Sequence, residues 1–240
     1  MGFLDLFGSK GNKFTEANAV PEDKKLLLQT GGILIYTNQW TPQTLKTDPK
    51  TASASQVLAH FWGVESKEEA MEVIEGLLSV GGAGFAGGDQ MISRQEINAK
   101  LAGYTGGNKS ALSNQQAEML DEVVDLLIGY KFEKVKLTKA DLDRVINTLA
   151  WDIERAAFVA RLAYNSEYLT EAETWDILKR TRELAASNFL NWRDYAISFI
   201  KGRAIVMSGS DFGDMSDVWA NACLMTEPKW GIVWGWAPLK

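Results

Sequence analysis

Apolar residues in this chain recur at intervals of three and four rather than two. Ala70, Val73, Ile74, Leu77 and Leu78 form one such set, and Leu120, Val123, Val124 and Leu127 another. That spacing places each set on one face of a helix. Just ahead of the apolar runs a serine or threonine is followed three residues later by Glu, Gln or Asp: Ser66/Glu69, Ser93/Glu96, Ser113/Gln116, Thr138/Asp141 and Thr170/Glu173. The hydroxyl can accept from an orphan backbone N–H while the longer side chain reaches back, so each pair predicts a helix start. Glycines predict the stops, with Gly63 after "VLAHFW", Gly81 and Gly82 after "VIEGLLSV", and Gly129 after "VVDLLI".

The longest helical pattern runs from Thr138 to Tyr164. Leu142, Val145, Ile146, Leu149, Ile153, Ala156, Ala157 and Ala160 make one stripe, while Trp151, Phe158 and Leu162 make a second on the far side. A helix apolar on opposite faces is enclosed by others, so this one is the expected central element. Further helices start at Thr170, with Trp175, Leu178, Leu184, Ala185 and Phe189, and after Asn191, with Trp192, Ala196, Phe199 and Val206. Gly202 permits a close helix contact or a kink there. Residues 31–39, "GGILIYTNQ", and 130–137, "YKFEKVKL", are the plausible strands. The expected fold is therefore mainly α: a compact multi-helix bundle around a buried central helix, with at most one or two short strands. Residues 41–55, rich in Pro, Thr and Ser, read as a surface linker, giving an N-terminal arm and linker over 1–54 and a helical domain over 55–240.

Composition narrows the function. Of 240 residues 46% are hydrophobic, enough to bury a core without staples. One cysteine, Cys223, and one histidine, His60, leave no Cys/His cluster for a metal, and no cofactor motif is recognisable, so none is expected. The net charge of −6 speaks against nucleic acid and is compatible with a basic protein partner. The start, "MGFLDLFGSKGNKF", lacks a basic leader region and a cleavage site, and no window reaches the roughly 18 apolar residues of a membrane span. A cytoplasmic protein without stable membrane association is expected, of a subunit number that the sequence leaves open.

Arg155 and Arg161 interrupt an apolar run, "AWDIERAAFVARLAYNSEYLTEAETWDI". A buried guanidinium costs several kcal/mol unless it is paired, so each needs a carboxylate, carbonyls or an aromatic face. Asp152, Glu154 and Glu173 are candidate partners, and Trp151 could stack on Arg155. One reading is a network that locks helices together. The other is an anion grip by Arg155, Arg161 or Arg203, with Asp152 or Glu173 as the only acid or base at hand.

At these residues the chain resembles the uncharacterised bacterial family DUF1266. The resemblance rests on "WDIERAAFVARLAYNSEYLTEAETWDI", on "FLNWRDYAISFIKGRAI", on the closing "PKWGIVWGW" and on "VLAHFWGVESKEEAMEVIEGLLSVG" upstream, spanning about residues 55 to 237. Trp151, Asp152, Arg155, Arg161, Tyr168, Glu173 and Trp175 occupy the positions of the family pattern in its first block. The resemblance implies a compact helical domain in a bacterial, cytoplasmic setting and implies no reaction.

Other motifs have plain readings. "GGAGFAGGD" lacks the Gly-Lys-Ser/Thr ending of a phosphate loop and reads as an interhelical connection. Asp211, Asp214 and Asp217 lack the alternation of a calcium loop. His60 beside Phe61 and Trp62 reads as a helix end and Cys223 as a small core residue. Trp230, Trp234 and Trp236 alternate along an extended tail that completes the core or, if exposed, offers a partner surface. These features lead to the expectation of a non-enzymatic protein-binding domain, of which a toxin-neutralising, immunity-type protein is one form. The alternative is a small-anion sensor or enzyme built on Arg155, Arg161 or Arg203.

Overall fold

The computed structural model describes residues 20–47, 53–79, 93–129, 137–208, 212–226 and 239. In chain order these form α1 (Glu22–Lys25), a 3-10 turn (Leu26–Gln29), α2 (Gly32–Thr37), α3 (Ala54–Trp62), α4 (Lys67–Leu78), α5 (Arg94–Thr105), α6 (Asn114–Gly129), α7 (Lys139–Asp143), α8 (Leu149–Asn165), α9 (Glu171–Asn188), α10 (Trp192–Val206) and α11 (Phe212–Thr226). No strand occurs among the described residues. Each of the five expected starts sits at a helix N-terminus. The Ser66, Ser93, Thr138 and Thr170 hydroxyls accept the N–H three residues on, and Ser113 does the same for Gln116. Gly63, with φ of 62°, ends α3 in the left-handed conformation.

α8 is the axis of the bundle. It is buried from Leu149 through Ala163, and α2, α3, α4, α9 and α10 pack around it. Such enclosure requires apolar or internally paired residues on every face, which is what its sequence supplies. The approach of α10 is close enough to need a glycine: a Cβ at Gly202 would lie 2.7 Å from the Trp151 Cβ. α11 packs on α2, α6 and α10 and buries Cys223.

Two expected elements differ. The helix expected over Thr138 to Tyr164 is broken, with α7 ending at Asp143 and α8 starting at Leu149. Long-range polar contacts account for the break. Asn98 accepts from the Thr148 N–H at 2.9 Å and its hydroxyl at 2.8 Å, while buried Lys201 donates to the Leu142 and Val145 carbonyls at 2.5 and 3.0 Å. Ile146, placed on the core stripe by the unbroken pattern, is 44% exposed.

The strand expected over 31–39 is instead the short helix α2. Gly31, at φ +76°, turns the chain into it so close to α8 that a Cβ would meet the Ala157 Cβ at 2.8 Å. Within the stretch 41–55 expected as a surface linker, Pro42 through Leu45 are buried. The second strand, over 130–137, falls outside the described residues except for buried Leu137.

Candidate functional site

The polar side chains of α8 divide between two faces, because each residue advances the helix by about 100°. Asp152 and Arg155 lie on one face, and Glu154, Arg161 and Asn165, spaced by seven and four, lie on another.

On the first face the Asp152 carboxylate is shared by two guanidinium groups. Arg155 Nη2 donates to its Oδ1, and Arg94 Nε donates to its Oδ2 at 2.5 Å. Arg94 is the first residue of α5 and also reaches the Leu77 carbonyl at the end of α4, at 2.7 Å. One carboxylate thus joins α4, α5 and α8. The Arg155 guanidinium lies 4.7 Å from the Trp151 ring centre, and Arg203 from α10 lies 5.7 Å from the same ring. Burial pulls the Arg155 guanidinium down, and Asp152 opposes that pull.

On the second face the long-range hydrogen bonds among the described residues run to the N-terminal segment and to α10. Glu154 Oε1 accepts the Gly31 N–H at 3.0 Å and the Tyr195 hydroxyl at 2.7 Å, and Oε2 accepts the Leu34 N–H at 3.4 Å. A carboxylate from α8 thereby caps the start of α2. Arg161 Nη2 donates to the Thr41, Pro42 and Thr44 carbonyls at 3.2, 3.0 and 2.5 Å. Asn165 Oδ1 accepts the Thr47 N–H at 2.9 Å. Trp40 stacks on Phe158 with ring centres 5.6 Å apart. Burial pushes the Glu154 carboxyl up to about 7 and the Arg161 guanidinium down to about 9.

The remaining expected residues are dispersed. Glu173 is absorbed in the capping box of Thr170 and pairs with Lys67 at 2.5 Å, and Lys67 leads the contacts that hold its carboxyl down to about 2. Glu173 therefore pairs with neither Arg155 nor Arg161 among the bonds of the described residues. It lines a cavity of about 520 Å³ with Lys46, Tyr164 and Tyr168. Trp175 is buried on α9, donates to Glu171 at 2.9 Å and carries Lys24 over its ring at 5.1 Å. Trp230, Trp234 and Trp236 lie outside the described residues, as do the 81–89 loop and Asp211.

Sequence reasoning found Asp152 for Arg155 because the two are three residues apart. It missed Arg94, Tyr195, Lys201 and the carbonyls that hold Arg161, whose partners come from distant segments and leave no local mark. Among the described residues no three His, Cys, Asp or Glu side chains are placed to hold a metal ion. Arg155 and Arg161 are 3% and 0% exposed.

The fold and this ladder of buried charges define an all-α domain built around a central, internally paired helix. A family model described as a protein of unknown function, DUF1266, matches residues 57–234, and the chain belongs to that family. No curated protein and no solved structure matches the chain. The matched range contains Glu154, Arg161 and Asn165 but not the segment 30–47 to which they bond.

Proposed function

We propose that this chain is a non-catalytic cytoplasmic domain that binds another protein, and that its specific form is an immunity-type protein masking a basic target. The outer face of α3 carries the reading. Phe61 is 71% exposed there, packs edge-on against His60 at 4.6 Å between ring centres, and borders an open cavity of about 620 Å³ with Gln56, Val57 and Ala59. An aromatic ring in a shallow depression is a common anchor for a partner. Glu65, Glu68 and Glu72 stand exposed a few residues further on, and the net charge of −6 favours a basic surface opposite. Trp230, Trp234 and Trp236 are a second candidate surface on sequence grounds.

The arginines weigh the same way. Arg155 and Arg161 already donate to Asp152 and to loop carbonyls, so anion binding by Arg155, Arg161 or Arg203 has less support. Affinity capture from the source cells, with the wild-type chain and Phe61→Ser side by side, tests the reading. A basic protein held by the wild type and reduced with the variant is the expected result. Equal recovery by both moves the interface away from α3, and recovery of no specific partner overturns the reading.

A further inference from the structure

Glu154 is fully buried at the meeting point of α8, α10 and the N-terminal segment. No ion pair to it occurs among the described residues, and its neighbours offer hydrogen bonds instead: the Gly31 and Leu34 N–H groups and the Tyr195 hydroxyl. We propose that Glu154 makes the seating of residues 31–37 on α8 depend on pH, the segment sitting tighter while the carboxyl is protonated and looser as it ionises.

The physical basis is a difference in hydration between two states. With the segment seated, the carboxyl is out of water and its charged form is disfavoured. With the segment lifted, the carboxyl meets water and behaves as an ordinary glutamate. A proton is therefore held more tightly in the seated state, and removing it favours lifting. Burial as the leading cause, with the Tyr195, Leu34 and Gly31 bonds opposing, puts the seated carboxyl at about 7 against an ordinary 4.5. Tightness is complete below about pH 4.5 and declines up to about pH 7, beyond which both states are ionised.

The surrounding groups keep their charge state across that range. From α10, Tyr195 is pushed well up by burial and stays neutral. From α8 itself, Arg161 is still a cation at its value of about 9 and lessens the cost of ionising Glu154. Arg182 from α9 acts on Tyr195 and remains charged, and Tyr36 of α2, pushed up to about 12, remains neutral. Among these described groups, Glu154 is the one left to titrate.

Hydrogen exchange on the full chain tests this, with each amide corrected for its intrinsic rate at each pH. Between pH 5 and 7.5 the Gly31, Leu34 and Ile35 amides should lose at least about tenfold in protection, since each unit of pKa difference is worth a factor of ten. Amides in the middle of α9 should not fall in parallel. Glu154→Gln, neutral throughout, should give a flat profile. Should that variant fail to fold, the carboxyl carbon of Glu154 followed by NMR in the wild type should titrate near neutrality, and in Tyr195→Phe at higher pH. Protection that holds or rises in the wild type, an equal loss in Glu154→Gln, a parallel loss in α9, or an ordinary titration near 4.5 would each overturn the proposal.

Discussion

Arg161 Nη2 reaches the Thr44 carbonyl at 2.5 Å, and that contact joins the buried axis of the bundle to a segment outside the range matched by the family model. The Thr41 and Pro42 carbonyls converge on the same nitrogen. All three bonds leave the one nitrogen, a charged donor on which several carbonyls can converge.

Replacing Arg161 with Met should therefore loosen the 41–47 loop. Each buried carbonyl left without a donor costs about 1 to 3 kcal/mol, offset in part because Nε and Nη1 of Arg161 are themselves buried without a hydrogen-bond partner among the described residues. A net loss of about 2 to 4 kcal/mol is expected from denaturant unfolding. Limited proteolysis should show new cleavage within 41–47. Arg161→Lys should recover part of the stability, and an unchanged midpoint in both variants would show that the carbonyl contacts contribute nothing.

The same contact marks the limit of what the sequence discloses. Helix starts were legible because a capping pair is complete within four residues, as at Thr170 and Glu173. The run "GGILIYT" was not, since a short apolar stretch fits a strand or a buried helix equally well. Its helical form depends on Glu154, more than a hundred residues away. The break between α7 and α8 depends likewise on Asn98 and Lys201. Burial of the two arginines was legible from the apolar residues around them, but of their partners only Asp152 and Trp151, within one turn of Arg155, could be named with the right role.

Lys201 supplies a test with the opposite pH sense to Glu154. It is 1% exposed, and burial lowers its ammonium from 10.5 to about 8. The unfolded chain thus binds this proton more readily than the folded one, so stability should rise as pH increases from 8 to about 10.5. A contribution of about 2 to 3 kcal/mol is expected over that range. Lys201→Met should lack it, so the wild type should gain on the variant as pH rises in parallel unfolding curves. A constant gap would place the ammonium in an ordinary environment.

Gly202 has no room for a side chain. An alanine Cβ would meet the Trp151 Cβ at 2.7 Å and the Thr148 Cβ at 3.2 Å, both at the stems of their side chains, so α10 must move outward. Overpacking of this kind costs about 1 to 3 kcal/mol, more than the helix-propensity gain of about 0.8 to 1 kcal/mol from removing a glycine. Gly202→Ala should lower the melting temperature and Gly202→Val should lower it further. Gly129→Ala at the end of α6, where none of the described residues lies within 4 Å of the added Cβ, is the control and should be neutral or slightly stabilising.

The shared carboxylate of Asp152 makes a prediction about coupling. Removing Arg155 leaves Asp152 still paired with Arg94, and removing Arg94 leaves it paired with Arg155. Each single change to Met should cost about 3 kcal/mol, toward the lower end for a broken buried pair, because the carboxylate is never stranded. The Arg94 change additionally frees the Leu77 carbonyl. Asp152→Ala leaves two buried guanidinium groups without their anion and should cost more than either, about 4 to 5 kcal/mol. In the double variant of Arg94 and Arg155 the carboxylate is left alone, so the loss should exceed the sum of the two single losses by about 1 kcal/mol or more. Denaturant unfolding of the four proteins measures that excess. Simple additivity would mean that the two arginines do not act through Asp152, and that the joint between α4, α5 and α8 lies elsewhere.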